Sequence, residues 1–182
     1  MGITINTRYA KHVIMFDPKY LGETYRKLGN GGLLLVSKSK AKKRPNVMTI
    51  GWGFVGILWG KPFFIIAVRK SRYTHRCIEA TMDFTVNVPG KGMGDVLQYC
   101  GAVSGREHDK FEERGLVIRK PKKISSPAIS GSSIIYECKV LYKANLNRRL
   151  LPSKVLSEIY SDMDFHTFYF GEIVACYRGR RG

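Results

Sequence analysis

Asn46-Val47-Met48-Thr49-Ile50-Gly51-Trp52, Phe63-Phe64-Ile65-Ile66-Ala67-Val68, Arg69-Lys70-Ser71-Arg72-Tyr73-Thr74-His75 and Asp83-Phe84-Thr85-Val86-Asn87-Val88-Pro89 decide how this chain folds. The first two stretches read as strands over residues 47–54 and 63–69. The second is apolar on both faces and so predicts a central position. The third is a hydroxyl- and cation-rich turn opening a helix over 74–82, which is too short to stand without tertiary packing. In the fourth, Phe84, Val86 and Val88 share one face of a strand, while Thr85 and Asn87 share the other. Such a turn suits an anion. Backbone N–H groups at a helix start lack intrahelical acceptors and the helix dipole favours negative charge there. Ser71, Tyr73 and Thr74 add hydroxyl donors, and Arg69, Lys70 and Arg72 add charge, the combination that a phosphate requires.

Outward from this segment, a short helix over 19–28 precedes a stop at Gly29-Asn30-Gly31-Gly32, and a short apolar strand follows over 33–36. Helices are predicted over 92–100 and 108–114, and strands over 116–119, 132–142 and 165–177. In the 132–142 strand Ile134, Tyr136, Cys138, Val140 and Tyr142 alternate onto one face. Gly171 marks a bulge or a close approach. Residues 144–164 show no pattern, and their length suits an arm reaching a second subunit. Antiparallel-type strands with short inserted helices predict a mainly β Greek-key barrel. Residues 1–32 read as an N-terminal extension packed on the barrel and 33–182 as the barrel domain.

The chain has 182 residues, 44% of them hydrophobic, enough for one domain with a proper core and against disorder. Cys77, Cys100, Cys138 and Cys176 form no C-x-x-C pair, and the histidines do not cluster with them at ligand spacing, so no metal site is predicted. Neither a signal peptide nor a membrane-spanning run is visible, and the chain reads as cytoplasmic. The formal net charge of +17 is the compositional extreme. Its cations group at 38–44, 119–123, 148–149 and 178–181. Such a field attracts anions, acidic proteins and nucleic acid; solvated loops are the plainer reading. No helix-turn-helix, finger or RNA-binding motif accompanies the charge, so nucleic acid is not the expected partner.

The four quoted stretches resemble the flavin reductase-like family of the FMN-binding split-barrel superfamily, in its flavoredoxin-type branch. The resemblance continues through Tyr99-Cys100-Gly101, Ser104-Gly105-Arg106-Glu107-His108-Asp109-Lys110 and Phe165-His166-Thr167-Phe168-Tyr169-Phe170-Gly171-Glu172-Ile173, covering roughly residues 33–177. It implies a six-stranded antiparallel split barrel, FMN as cofactor, and a homodimer with FMN near its interface.

By that resemblance Asn46, Val47, Met48 and Thr49 lie along the isoalloxazine ring; an ordinary turn-to-strand junction is the alternative. Residues Ala67, Val68, Arg69, Lys70, Ser71, Arg72, Tyr73 and Thr74 hold the ribityl chain and phosphate, although Arg69 could instead pair with an acid. Val103, Ser104, Gly105 and Lys110 form a second pocket segment, or else a plain interhelical turn with an exposed lysine. His166 faces the ring edge or is a packed structural histidine, and Trp52 stacks on the ring or belongs to the core. Asn87 reaches the cofactor or faces solvent. The implied activity is FMN-dependent electron transfer between an acceptor and either NAD(P)H or a protein donor, including an acidic electron-transfer protein. No G-x-G-x-x-G is present, so NAD(P)H would bind transiently over the flavin. The alternative is a basic module for nucleic acid or an acidic protein on a flavin-protein scaffold.

Overall fold

The run predicted as one strand over 47–54 forms two, β2 (Asn46–Ile50) and β3 (Gly53–Leu58), and this break organises the whole sheet. In the structure, a computed structural model that describes Asp17 and residues 19–42 and 44–179, seven strands run in the order β2-β1-β5-β8-β9-β4-β3. The other members are β1 (Leu33–Ser37), β4 (Lys61–Arg69), β5 (Asp83–Val88), β8 (Ile134–Asn145) and β9 (His166–Arg178). All their pairings are antiparallel. Strands β2 and β3 are the two edges of this sheet, yet only Gly51 and Trp52 separate them. Three residue steps span at most about 11 Å, so the sheet must curl until its edges nearly meet. The corner leaves the barrel split. The expected mainly β fold with short helices is what forms; the seventh strand, against six expected, comes from this break.

The barrel interior is filled by Leu33, Leu35, Phe64, Ile66, Val68, Phe84, Val86, Tyr136, Cys138 and Tyr169, all buried. Gly171 sits opposite Phe64 and Val140, where a Cβ would lie 2.6 Å from Cζ of Phe84 and 2.8 Å from Cβ of Cys138. Its lack of a side chain lets β9 cross the core closely, beside a register shift between Val140 and Tyr142.

A second apolar cluster, with Leu34, Val36, Val47, Cys100, Phe111 and Ile129, covers the outer face of β1 and β5. Helices α3 (Gly94–Ala102) and α4 (Lys110–Glu113) belong to it, as does a ribbon of β6 (Ile118–Arg119) with β7 (Ala128–Ile129). That cover corrects the reading of Asn87. It is fully buried, donates to the carbonyl of Leu34 at 3.2 Å and accepts from the N–H of Ile129 at 3.0 Å, so it neither reaches a groove nor faces water.

Helix α1 (Lys19–Gly29) packs Tyr20 and Leu28 against the barrel core, and Thr24 Oγ1 meets Tyr136 Oη at 2.7 Å. The rest of the predicted N-terminal extension, residues 1–16 and 18, lies outside the described residues. Helix α2 (Tyr73–Thr81) links β4 to β5, and the 144–164 segment carries a 3-10 turn (Arg148–Leu150) and α5 (Ser153–Ile159).

Candidate functional site

Three segments distant in sequence meet at Asn46, the first residue of β2. Its Nδ2 donates to Thr74 Oγ1 at 2.6 Å, tying the strand to the first turn of α2. On its other side the backbone of Gly105 lies so close that a Cβ there would stand 1.8 Å from Asn46 Oδ1. Glycine leaves this space to the Asn46 amide; any other residue would push that side chain off Thr74 and crowd the Tyr73 ring. Lys42 closes the contact from outside, its Nζ donating to the carbonyls of Gly105 and Arg106 at 2.8 and 2.6 Å.

Between these segments runs a groove. One cavity of about 280 Å³ is lined by Asn46, Met48 and Thr49 of β2, by Ser71, Arg72, Tyr73 and Thr74, and by Val103, Ser104, Gly105 and Lys110. A second, of about 160 Å³, shares Met48, Thr49 and Arg72 with it and adds Ala67, Arg69, Trp52 and His166. Together they fall within the size range of ligand pockets, about 300–1,000 Å³, which neither reaches alone. Three predicted residues stay outside this groove. Val68 is fully buried in the barrel core; Val47 points into the outer core and borders a separate cavity; Lys70 is exposed and lines none of these cavities. Alternation along β4 and β2 accounts for the two valines, since neighbouring residues of a strand face opposite ways.

Lys110, offered as a pocket cation or else as an exposed lysine, lies in the groove wall. It is 4% exposed, and its Nζ donates to the carbonyl of Cys100 at 3.0 Å. Burial holds its pKa below the usual lysine value, with the Cys100 thiol opposing. An ammonium so placed, without a carboxylate, is a costly group that a bound anion would stabilise. Cys100, Gly101 and Arg106 also line the first cavity, though sequence reading did not select them. Their neighbours in the Tyr99-Cys100-Gly101 and Ser104-Gly105-Arg106 runs were the available signal, but which side of α3 faces β2 was not. Thr49 marks that side, its hydroxyl donating to the carbonyl of Leu97 at 2.6 Å.

The turn itself is engaged by the protein's own acids. Arg69 Nη1 donates to both carboxylate oxygens of Asp162, at 2.9 and 2.7 Å, and Nη2 to the carbonyl of Ile159 at 2.8 Å. The N–H of Asp164, then Arg69, hold the Asp162 carboxyl below its usual pKa. Ser71 gives its N–H to Asp164 Oδ1 at 3.2 Å and its hydroxyl to Oδ2 at 2.5 Å. His166 is packed between Trp52, ring centroids 4.6 Å apart, and Tyr160, whose hydroxyl meets Nδ1 at 2.8 Å. Burial, then the Arg69 charge, push its pKa down to about 4, so it is neutral at physiological pH.

Residues 26–181 match the family model of the flavin reductase like domain. The chain belongs to this family. This flavin reductase-like chain is 31% identical to an uncharacterised protein of Archaeoglobus fulgidus over 54% of its own length and 55% of the relative's. It thus spans about half of that relative. It is 27% identical to the uncharacterised protein YddH of Escherichia coli over 88% of this chain and 77% of YddH. Among solved structures, it resembles flavoredoxin of Desulfovibrio vulgaris at a TM-score of 0.65 and 22% identity, covering 81% of this chain and 69% of that one. A flavoredoxin from Methanosarcina acetivorans gives a TM-score of 0.62 and 28% identity, over 81% and 68% of the two chains. No helix among the described residues is long and apolar enough to cross a membrane.

Proposed function

We propose that the groove between β2, the start of α2 and the 103–110 segment holds FMN, and that the chain is a flavoredoxin-type oxidoreductase. The observation that carries this reading is Lys110, a buried ammonium facing a groove that also contains a helix start and two unpaired arginines. Among the described residues neither Arg72 nor Arg106 has an ion pair. In this reading the phosphate sits against Lys110, Ser104, Arg72 and the first turn of α2. The ring lies along Asn46, Met48 and Thr49, with its far end toward Ala67, Trp52 and His166. Arg69 and Ser71 act one step away, anchoring residues 159–164 beside the ring end rather than holding the phosphate themselves. Bound FMN supplies the redox chemistry, accepting electrons from NAD(P)H or a protein donor and passing them on. The protein's part is to bind, orient and shield. Neutral His166 and the indole of Trp52 line the ring end, where the Arg69 charge is paired with Asp162.

The single-phosphate reading predicts that the purified protein is yellow and releases FMN on denaturation. Chromatography of the released cofactor is the test. Finding only FAD, or a colourless protein that ignores added FMN, would overturn the proposal.

A further inference from the structure

We infer that the loop bearing Lys38, Lys40 and Lys42 and the loop bearing Lys120, Lys122 and Lys123 form one docking face for an acidic electron-carrier protein. The inference rests on the flavin reading above and names the donor for that groove. The two loops lie far apart in sequence, but the N–H of Lys38 donates to Ser126 Oγ at 2.8 Å and joins them. The second loop is held from beneath by two buried carboxylates. Glu137, with no exposure, accepts the N–H groups of Lys122 and Lys123 at 2.8 and 2.7 Å. Asp83 accepts those of Ser125 and Ser126 at 2.8 and 3.1 Å.

The consequence is electrostatic. Both acids bond backbone N–H groups inside the fold rather than lysine side chains, so the lysines of this face keep their charge, Lys42 resting on the carbonyls of Gly105 and Arg106 and Lys122 over the Tyr177 ring. Among the described residues, the six named lysines have no ion pair. A fixed cluster of like charge focuses field and speeds encounter with a partner of opposite sign. The face also runs up to the groove. Lys42 lines the cavity of about 240 Å³ that Asn46, Gly105 and Lys110 border from its other side.

Charge alone would also suit nucleic acid, but the surroundings favour a protein. Single strands bind on open aromatic rings. The aromatic rings that cations of this face cover are not open: Tyr73 is buried beneath Lys42 at 5.6 Å, and Tyr177 is covered by Arg119 at 4.8 Å and Lys122 at 4.0 Å, its hydroxyl donating to Glu137 at 2.6 Å. Duplex readout needs a helix or ribbon that enters the major groove. This face is made of loops beside the two-residue strands β6 and β7. For a one-electron carrier, two reduced partners each lose one electron, and those two electrons with two solvent protons reduce the flavin.

The test is binding of an acidic ferredoxin, measured by calorimetry on flavin-loaded and flavin-free protein at two salt concentrations. Dissociation constants should rise steeply as the screening length shortens from about 30 Å at 0.01 M to about 8 Å at 0.15 M salt. K38E/K122E should weaken binding roughly 10- to 100-fold. R148E/R149E, the same charge change placed beyond the far end of β8, should leave it nearly unaltered. Equal losses in the two variants would show that net charge acts without a face, and would overturn the inference. Absence of ferredoxin binding at low salt would do the same. So would tighter, K38E/K122E-sensitive binding of a single-stranded oligonucleotide. Failure of the flavin reading is separable: the protein would then bind ferredoxin but not FMN.

Discussion

Lys110 and His166 show how burial sets the chemistry of single residues. Lys110 is charged, 4% exposed and partnered by one carbonyl in the structure. Removing such a charge often leaves a fold as stable or more so. K110M should therefore keep its melting temperature or gain, while FMN affinity falls about 10- to 100-fold, the worth of one charge-assisted hydrogen bond of roughly 1.5–3 kcal/mol. Riboflavin, lacking the phosphate, should lose far less; equal losses in a fluorescence titration would make Lys110 structural. Its depressed pKa also fixes a sign. Between the folded value and 10.5 the unfolded chain binds more protons, so stability relative to K110M should rise with pH across that window. For His166 the folded pKa is about 4 against 6.5 unfolded, and the unfolded state again holds the extra proton in between. Stability relative to H166Q should be constant above pH 6.5 and fall by about 3 kcal/mol as pH drops to 4. Chemical denaturation of both proteins across this range checks it.

At the scale of elements, the turn after β4 and the residues before β9 are clamped to each other by Arg69–Asp162 and Ser71–Asp164. In R69A, amide exchange across 159–164 should accelerate about 10-fold or more, because charge-assisted bonds worth roughly 1.5–3 kcal/mol are lost. FMN affinity should change much less. An unchanged exchange pattern with lost FMN would instead make Arg69 a direct ligand. D164N weakens the second half of the same clamp, so it too should speed exchange across 159–164 and change FMN affinity much less. In the structure the turn lies beside β2 and the 103–110 segment, the segments that the resemblance groups with it. Sequence reading offered an acid as an alternative partner for Arg69 but could not name Asp162 or see Asp164 on Ser71, since each stands 93 residues away along the chain.

Across the whole molecule, the edge strand β3 and its flanks present Phe54 at 62%, Ile57 at 60% and Trp59 at 59% exposure. An edge strand with large apolar side chains invites pairing, and a patch of this kind marks an interface. It lies across the Gly51–Trp52 corner from the groove, so a two-fold partner there would border the ring end. Light scattering should give about twice the 20.6 kDa chain mass. F54E/I57E should be monomeric, with weaker FMN binding if the partner helps to close the groove. A monomeric wild type with tightly bound FMN would refute a shared site.

The sequence by itself determined the strand periods, the anion-suited turn, the glycine at Gly105 and the family resemblance. Each is written in local spacing of apolar, hydroxyl and small residues, which act within a few positions of one another. Tertiary structure alone decided that Gly51 and Trp52 split one apparent strand into the two edges of the sheet. It also buried Asn87 and Lys110, and spent Arg69 and Ser71 on Asp162 and Asp164. Those outcomes depend on which distant segment covers a face or meets a side chain, and residue order carries no local mark of that.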